Sequence, residues 1–290
     1  MSIVITGASG KLGRLTAESL LEKVSPAEVV LVTRTPDALA DFAARGADVR
    51  AGDFTDPASL TAAFAGGEKV LLISADVIGE RVPHQRAAID AAVAAGVGSI
   101  AYTSIVNPSD SNPGAAAADH RATEEHARVS GMAWTFLRNS IYSEMQAGPA
   151  ASAALASGAL ATNAGDGRTA YVSRADCAAV AAAVLASDGH EGKAYDITGP
   201  EALSAHDLAA LYSQIGGKPV EAVLLDDDAW VAAMVEHAGL PEPLARTLAT
   251  FGIAARRGYA EPVSTAVQDL TGRAPRTLRE VLEAELPALV

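Results

Sequence analysis

The chain has 290 residues, 49% of them hydrophobic and 20% charged, a balance that supports one sizeable packed core or a core with an appended part. Its formal net charge of −13 leaves no basic surplus to neutralise phosphates, which argues against a nucleic-acid or anionic-membrane partner. The lone cysteine, Cys177, excludes an internal disulfide and reads as a small buried residue in an alanine-rich helix. A reducing, cytoplasmic setting is expected, because residues 1–6 lack a basic leader start and no apolar run approaches ~20 residues.

The first 140 residues alternate short apolar runs with alanine-rich helical stretches, the pattern of a parallel sheet covered on both faces. Strands are predicted over residues 2–6, 28–33, 48–51, 69–74, 99–104 and 134–137. Helices are predicted between them over 11–23, 36–45, 57–64, 82–95 and 115–130. Pro36 and Pro57 sit where a first helical turn accepts proline, and Gly46, Gly96 and Gly131 follow helix ends. Beyond residue 140 the order loosens. A strand at 169–172, a helix at 174–186 and a strand at 193–197 are expected to return to the main sheet. Segments 204–216, 220–225, 226–238, 244–251 and 277–286 read as a mostly helical cap, with Asp226-Asp227-Asp228 as an acidic helix start. Gly165, Gly167 and the alanine-rich stretch 147–164 offer a lid.

Gly7-Ala8-Ser9-Gly10-Lys11-Leu12-Gly13 follows the first strand and opens the first helix. Its G-x-x-G-x-x-G spacing suits a phosphate turn. Gly7 permits the tight bend, Gly10 lets a pyrophosphate approach the backbone, and Gly13 lets the helix lie close to the strand. The helix N-terminus then offers free N–H groups to the phosphates. The second strand ends Leu31-Val32-Thr33-Arg34-Thr35, with a guanidinium where an acidic residue would select an unphosphorylated ribose. Arg34, helped by Ser9, Lys11 and Thr35, therefore favours NADPH over NADH. Asp53 and Phe54 after the third strand suit the adenine, and Ser74, Ala75 and Asp76 after the fourth suit a ribose; each could instead be turn chemistry. The expected fold is α/β: a Rossmann-like doubly wound parallel sheet over 1–140, with a smaller, mostly helical substrate-binding part over 141–290.

With these residues in view, the chain resembles the NmrA-like branch of the atypical short-chain dehydrogenase/reductases and, within it, the type 2 NADPH:quinone oxidoreductases. The likeness rests on residues 5–13, Leu71-Leu72-Ile73-Ser74, Ile100-Ala101-Tyr102-Thr103-Ser104, Thr135-Phe136-Leu137-Arg138-Asn139, Tyr142-Ser143-Glu144, Ala164-Gly165-Asp166-Gly167 and Gly189-His190-Glu191-Gly192-Lys193. The resemblance implies that NADPH lies along the sheet's C-terminal edge with a quinone beneath the smaller part. It also implies that Thr103, Ser104 and residues 138–143, with Ser140 among them, line the nicotinamide end, and that Arg174 is a further cofactor or cleft contact. Asn139 and Tyr142 are the candidates for orienting the quinone oxygens; each also has a plain structural reading, as a strand end and a half-buried ring.

Many superfamily members use a Tyr-x-x-x-Lys pair as proton donor and helper, and Asp119-His120-Arg121-Ala122-Thr123-Glu124 stands there instead. His120 reads first as structural or solvated. Hydride addition to a ketone leaves an alkoxide whose parent acid has a pKa near that of water, ~16. Addition to a quinone leaves a phenolate-like anion with a parent pKa nearer ~10, so the demand for a donor falls by roughly 8 kcal/mol. Direct hydride transfer to a quinone is the expected reaction, with the rival being a non-catalytic NADP(H)-sensing regulator of the NmrA type. Sugar epimerisation is disfavoured because it needs a strong base. The histidines are scattered without metal spacing, so no metal is expected, and a homodimer is left open.

Overall fold

The computed structural model describes residues 2–75 and 80–285. Strands buried on both faces need apolar side chains at every position, and β1 (Ile3–Ile5) and β2 (Val29–Thr33) are buried throughout. Between them runs α1 (Lys11–Leu21); α2 (Ala40–Ala44), β3 (Asp48–Ala51), α3 (Pro57–Phe64) and β4 (Lys69–Leu72) follow. The alternation continues with α4 (Arg81–Ala94), β5 (Ser99–Ile105), α5 (Ala115–Val129) and β6 (Ala133–Asn139). Then come α6 (Pro149–Ser157), β7 (Ala159–Thr162), β8 (Arg168–Thr169), α7 (Arg174–Ala186), β9 (Lys193–Ile197) and β10 (Leu203–Ser204). The chain ends with α8 (Ala205–Gly216), β11 (Glu221–Leu224), α9 (Asp227–Ala238), α10 (Glu242–Arg256), α11 (Ala266–Thr271) and α12 (Leu278–Glu285).

Seven strands form one sheet in the order β3-β2-β1-β4-β5-β6-β9, all parallel. The doubly wound fold expected from the alternation is the one observed. Successive side chains leave a strand on opposite faces. Ile3, Ile5, Leu31, Leu71 and Leu137 therefore pack under α1 and α7, while Val4, Val30, Val70, Tyr102 and Phe136 pack against α3, α4 and α5. Alanines along α7 let it lie against α1. Gly13 does the same for α1 and the turn, because a Cβ there would sit 2.7 Å from the Ala8 Cα.

Three expectations need correction. Residues 169–172 do not join the sheet, because β9 takes the outer edge of β6. Their backbone is satisfied elsewhere: β8 pairs antiparallel with β10, Ala170 N–H donates to Ala260 O, and Val172 N–H donates to Ile141 O. Residues 221–224 form β11, parallel to β7, where a helical cap is expected. The lid stretch 147–164 is α6 and β7, with Ala151 and Ala154 buried against α8.

Replacing Gly13 by Ala should cost about 1–3 kcal/mol, since neither strand nor helix backbone can yield to the added methyl. Urea denaturation of the two proteins measures it, and an unchanged midpoint contradicts the close approach.

Candidate functional site

In a doubly wound sheet the winding reverses at one point, and a crevice opens beyond the strand ends there. Here the reversal lies between β1 and β4. Past its last paired residue β4 has no ladder to bond, and two threonine hydroxyls replace it. Ile73 N–H donates to Thr6 Oγ1 at 3.0 Å and Ser74 N–H to Thr103 Oγ1 at 2.9 Å. Thr103, expected on the cofactor, therefore holds backbone.

The glycine turn faces the same crevice. Gly7 has φ +59°, a left-handed conformation natural to glycine, and Gly10 N–H closes the turn on Gly7 O at 3.0 Å. No side chain caps α1 at Gly10, so its first amides stay available. Gly10 and Lys11 are exposed, whereas the Leu12 side chain sits in the core and offers the crevice only its amide. Ser9 Oγ lies 2.7 Å from Thr33 Oγ1, which also accepts from Thr35 N–H at 3.2 Å. This tie sets the turn beside the tip of β2, where Arg34 and Thr35 stand exposed. Hydrogen bonds from Thr55 hold the Asp53 carboxyl below the usual range, with the charges of Arg34 and His84 adding to the effect. Asp53 thus serves its own turn, and Phe54 packs half-buried on the core beside α3. Ala75 O accepts from Arg81 Nε at 2.6 Å; Asp76 lies outside the described residues.

At the other end of the crevice, the C-terminal ends of β5 and β6 and the segment after them carry four buried polar atoms, with Ser104 on the Arg138 face of the sheet and Asn139 on the opposite face. Ser104 Oγ, Asn139 Oδ1, Ser140 Oγ and Ser143 Oγ are all sealed from solvent without a hydrogen-bond partner. Buried polar groups are rarely left so, and donors and acceptors brought by a ligand would partner them. Asn139 Nδ2 donates to Tyr142 Oη at 3.2 Å. Burial pushes the Tyr142 phenol up from its ordinary pKa, so it stays protonated. The Arg174 guanidinium stacks 4.8 Å from the ring centroid, and Glu144 accepts from Arg174 N–H at 2.9 Å. Arg174 is thereby a brace for Tyr142.

Arg138, expected with its neighbours at the nicotinamide end, faces the other way. Adjacent strand residues point to opposite faces, and Arg138 forks onto Glu124 at 2.9 and 2.8 Å. Arg128 also donates to this carboxylate, which is 1% exposed. Sequence reasoning missed Thr6, Glu144 and Arg81. Thr6 stood just before the glycine turn and Glu144 in the Tyr142-Ser143-Glu144 motif, while Arg81 carried no signal. Among the described residues, no three His, Cys, Asp or Glu side chains converge on a metal site, and no helix is long and apolar enough to cross a membrane.

An open glycine turn at one end and four partnerless polar atoms at the other fit an extended dinucleotide. Comparison with known proteins agrees. The family described as NAD(P)H-binding matches residues 7–188. Quinone oxidoreductase 2 of Escherichia coli K12 is 41% identical over 278 residues, covering 96% of each chain. The NAD(P)H azoreductase of Xenophilus azovorans is 30% identical over 99% of this chain and 98% of its own. The crystal structure of the Escherichia coli NADPH-dependent quinone oxidoreductase complexed with NADPH superposes with a TM-score of 0.93 at 40% identity, covering 97% of this chain and 99% of that one. The Citrobacter triphenylmethane reductase complexed with NADP(H) gives 0.92 at 34% identity, covering 98% and 100%. From turn to strand ends, then, the chain belongs to the NAD(P)H-binding family of Rossmann-like oxidoreductases.

Proposed function

We propose that the protein is an NADPH-dependent oxidoreductase that reduces quinones or similar electron-poor acceptors in the cytoplasm. The observation that carries this reading is the partnerless buried Asn139 Oδ1 at the end of β6, whose amide donates to a protonated Tyr142. Relatives named for quinones, azo compounds and triphenylmethanes support it, since all three are conjugated acceptors that spread added charge.

In this reading the free amides at the start of α1 hold the diphosphate, and Arg34 forks onto the 2′-phosphate with Lys11, Ser9 and Thr35 beside it. When bound, NADPH supplies a hydride. Ser104, Asn139 and Ser140 fix the ligand groups at that end. Tyr142 accepts from Asn139, so its own O–H remains free to donate to an acceptor oxygen. Glu144 and Arg174 keep that ring from turning. Because the phenol stays protonated, Tyr142 orients rather than titrates, and the reduced acceptor takes its second proton from water.

Purified protein with NADPH and 1,4-benzoquinone should lose 340 nm absorbance faster than the uncatalysed mixture. Failure across several quinones, with NADPH still bound in a calorimetric titration, indicates the sensing role instead. Arg34→Glu should weaken NADPH binding by roughly 1–3 kcal/mol while leaving NADH within a few tenths. Equal losses for both in the same titration refute the phosphate role. Turnover should stay flat between pH 6 and 9, because the raised phenol of Tyr142 keeps its proton throughout. A bell-shaped profile centred near pH 7 requires another titrating group.

A further inference from the structure

Away from the crevice, the small sheet of β7 and β11 has one finished edge and one open edge. The two strands pair in parallel, with Glu221 against Ala159 and Leu224 against Thr162. Glu221 N–H donates to Gly158 O and Leu225 N–H to Thr162 O, so the odd-numbered residues of β11 bond inward. In a parallel ladder the residues between them turn both N–H and C=O away. Ala222 and Leu224 therefore face outward, and among the described residues no strand lies on that side. The surroundings are finished differently. On the far edge of β7, Trp230 Nε1 donates to Ala161 O at 3.3 Å. Before β11, Ser213 Oγ of α8 accepts from Val220 N–H at 2.8 Å and donates to Val220 O at 3.1 Å. Past Val220, the outward N–H and C=O groups of Ala222 and Leu224 have no partner among the described residues.

Beside this edge runs a groove of about 490 Å³, lined by small side chains, Ala209 and Ala210 of α8 with Val220 and Ala222. Leu224, on the same face of β11 as Ala222, is 44% exposed, and Val223 on the opposite face is 41% exposed.

We propose that this edge pairs with the same edge of a second copy of the chain, antiparallel about a two-fold axis at Val223, to form a homodimer with one continuous sheet. Edge strands recruit further strands through their open amides, and a closed dimer presents the same patch from both copies. Using every outward group of β11 sets the register. Ala222 lies opposite the partner's Leu224, and Val223 opposite the partner's Val223. Directly opposed residues point to one face, so the partner's Leu224 enters the groove beside Ala222 and over Ala209 and Ala210. Each copy carries both the exposed side chain and the hollow that takes it.

Charge fits the same arrangement. Lys218 stands exposed before the strand, and Asp226 and Asp228 stand exposed after it, the latter shared with Arg246. Antiparallel pairing brings each basic end toward the partner's acidic end. The Glu221 carboxylates, at opposite ends of the paired segment, stay roughly 14 Å apart. A chain of net charge −13 associates with itself only where like charges are kept apart in this way. The pairing is independent of which acceptor the crevice reduces.

Sedimentation velocity of the full chain should show a dimer at micromolar concentration. Leu224→Lys should weaken dimerisation at least about 30-fold with an unchanged circular dichroism spectrum. Val223→Cys should cross-link to its own copy under mild oxidation, because non-hydrogen-bonded neighbours stand with Cα atoms about 4.5 Å apart, within disulfide reach. Glu221→Cys should stay uncross-linked on the same non-reducing gel, and the native Cys177 is buried. If Leu224→Lys loses structure, Ala222→Pro replaces it, since proline removes only an outward N–H and should also leave a monomer. A monomeric parent, with the edge free or held by a foreign chain, overturns the proposal. So does a dimer that survives Leu224→Lys, or one that cross-links through Glu221→Cys and not through Val223→Cys.

Discussion

Two threonine hydroxyls hold the crevice open. Where the winding reverses, β4 pairs only as far as Leu72 while β5 runs on to Ile105 beside β6, so the next β4 amides lose their ladder. Thr6 and Thr103 accept those amides, so the chain leaves the sheet in one fixed direction. An unpaired buried amide would otherwise cost about 1–3 kcal/mol and draw the strand end back toward its neighbours. The glycine turn on one side and the polar ends of β5 and β6 on the other are held apart by the same sheet.

The rest of the molecule steadies that arrangement. On one face α7 lies against α1, which fixes the helix whose first amides point into the crevice. On the other, the Glu124 carboxylate binds α5 to β6 through Arg138, one residue before Asn139. α10 and the segment after it reach the chain that follows β5, where Asn107 Nδ2 donates to Tyr259 O at 2.7 Å and Ala115 N–H to Thr250 Oγ1 at 3.0 Å. Each brace acts through backbone or buried charge.

Local features of the sequence were legible. The glycine turn, the apolar strands and the arginine after β2 each follow from neighbouring residues, as does the Asp226 cap, whose carboxylate accepts from Ala229 N–H. Features set by distant partners were not. α7 is buried nearly all round, so its period gives no face, and β8, with two residues, carries no pattern. The facing of Arg138 depends on strand parity at its last residues. His120 stands among charged neighbours on a helix that looks solvated, and only the packing of α4 and β5 shows it enclosed.

Gly252 of α10 lies so close to Asn163 that a Cβ would collide with that side chain, and Gly167 meets the Ala255–Arg256 backbone in the same way. Arg256 fastens this seam further, donating to Asn163 O and to Asp227. At Gly167 this seam is main chain laid on main chain, and at Gly252 the helix backbone leaves no room beside the Asn163 side chain. A lineage that puts a side chain at either glycine must shift the whole helix, because neither contact leaves space for a Cβ.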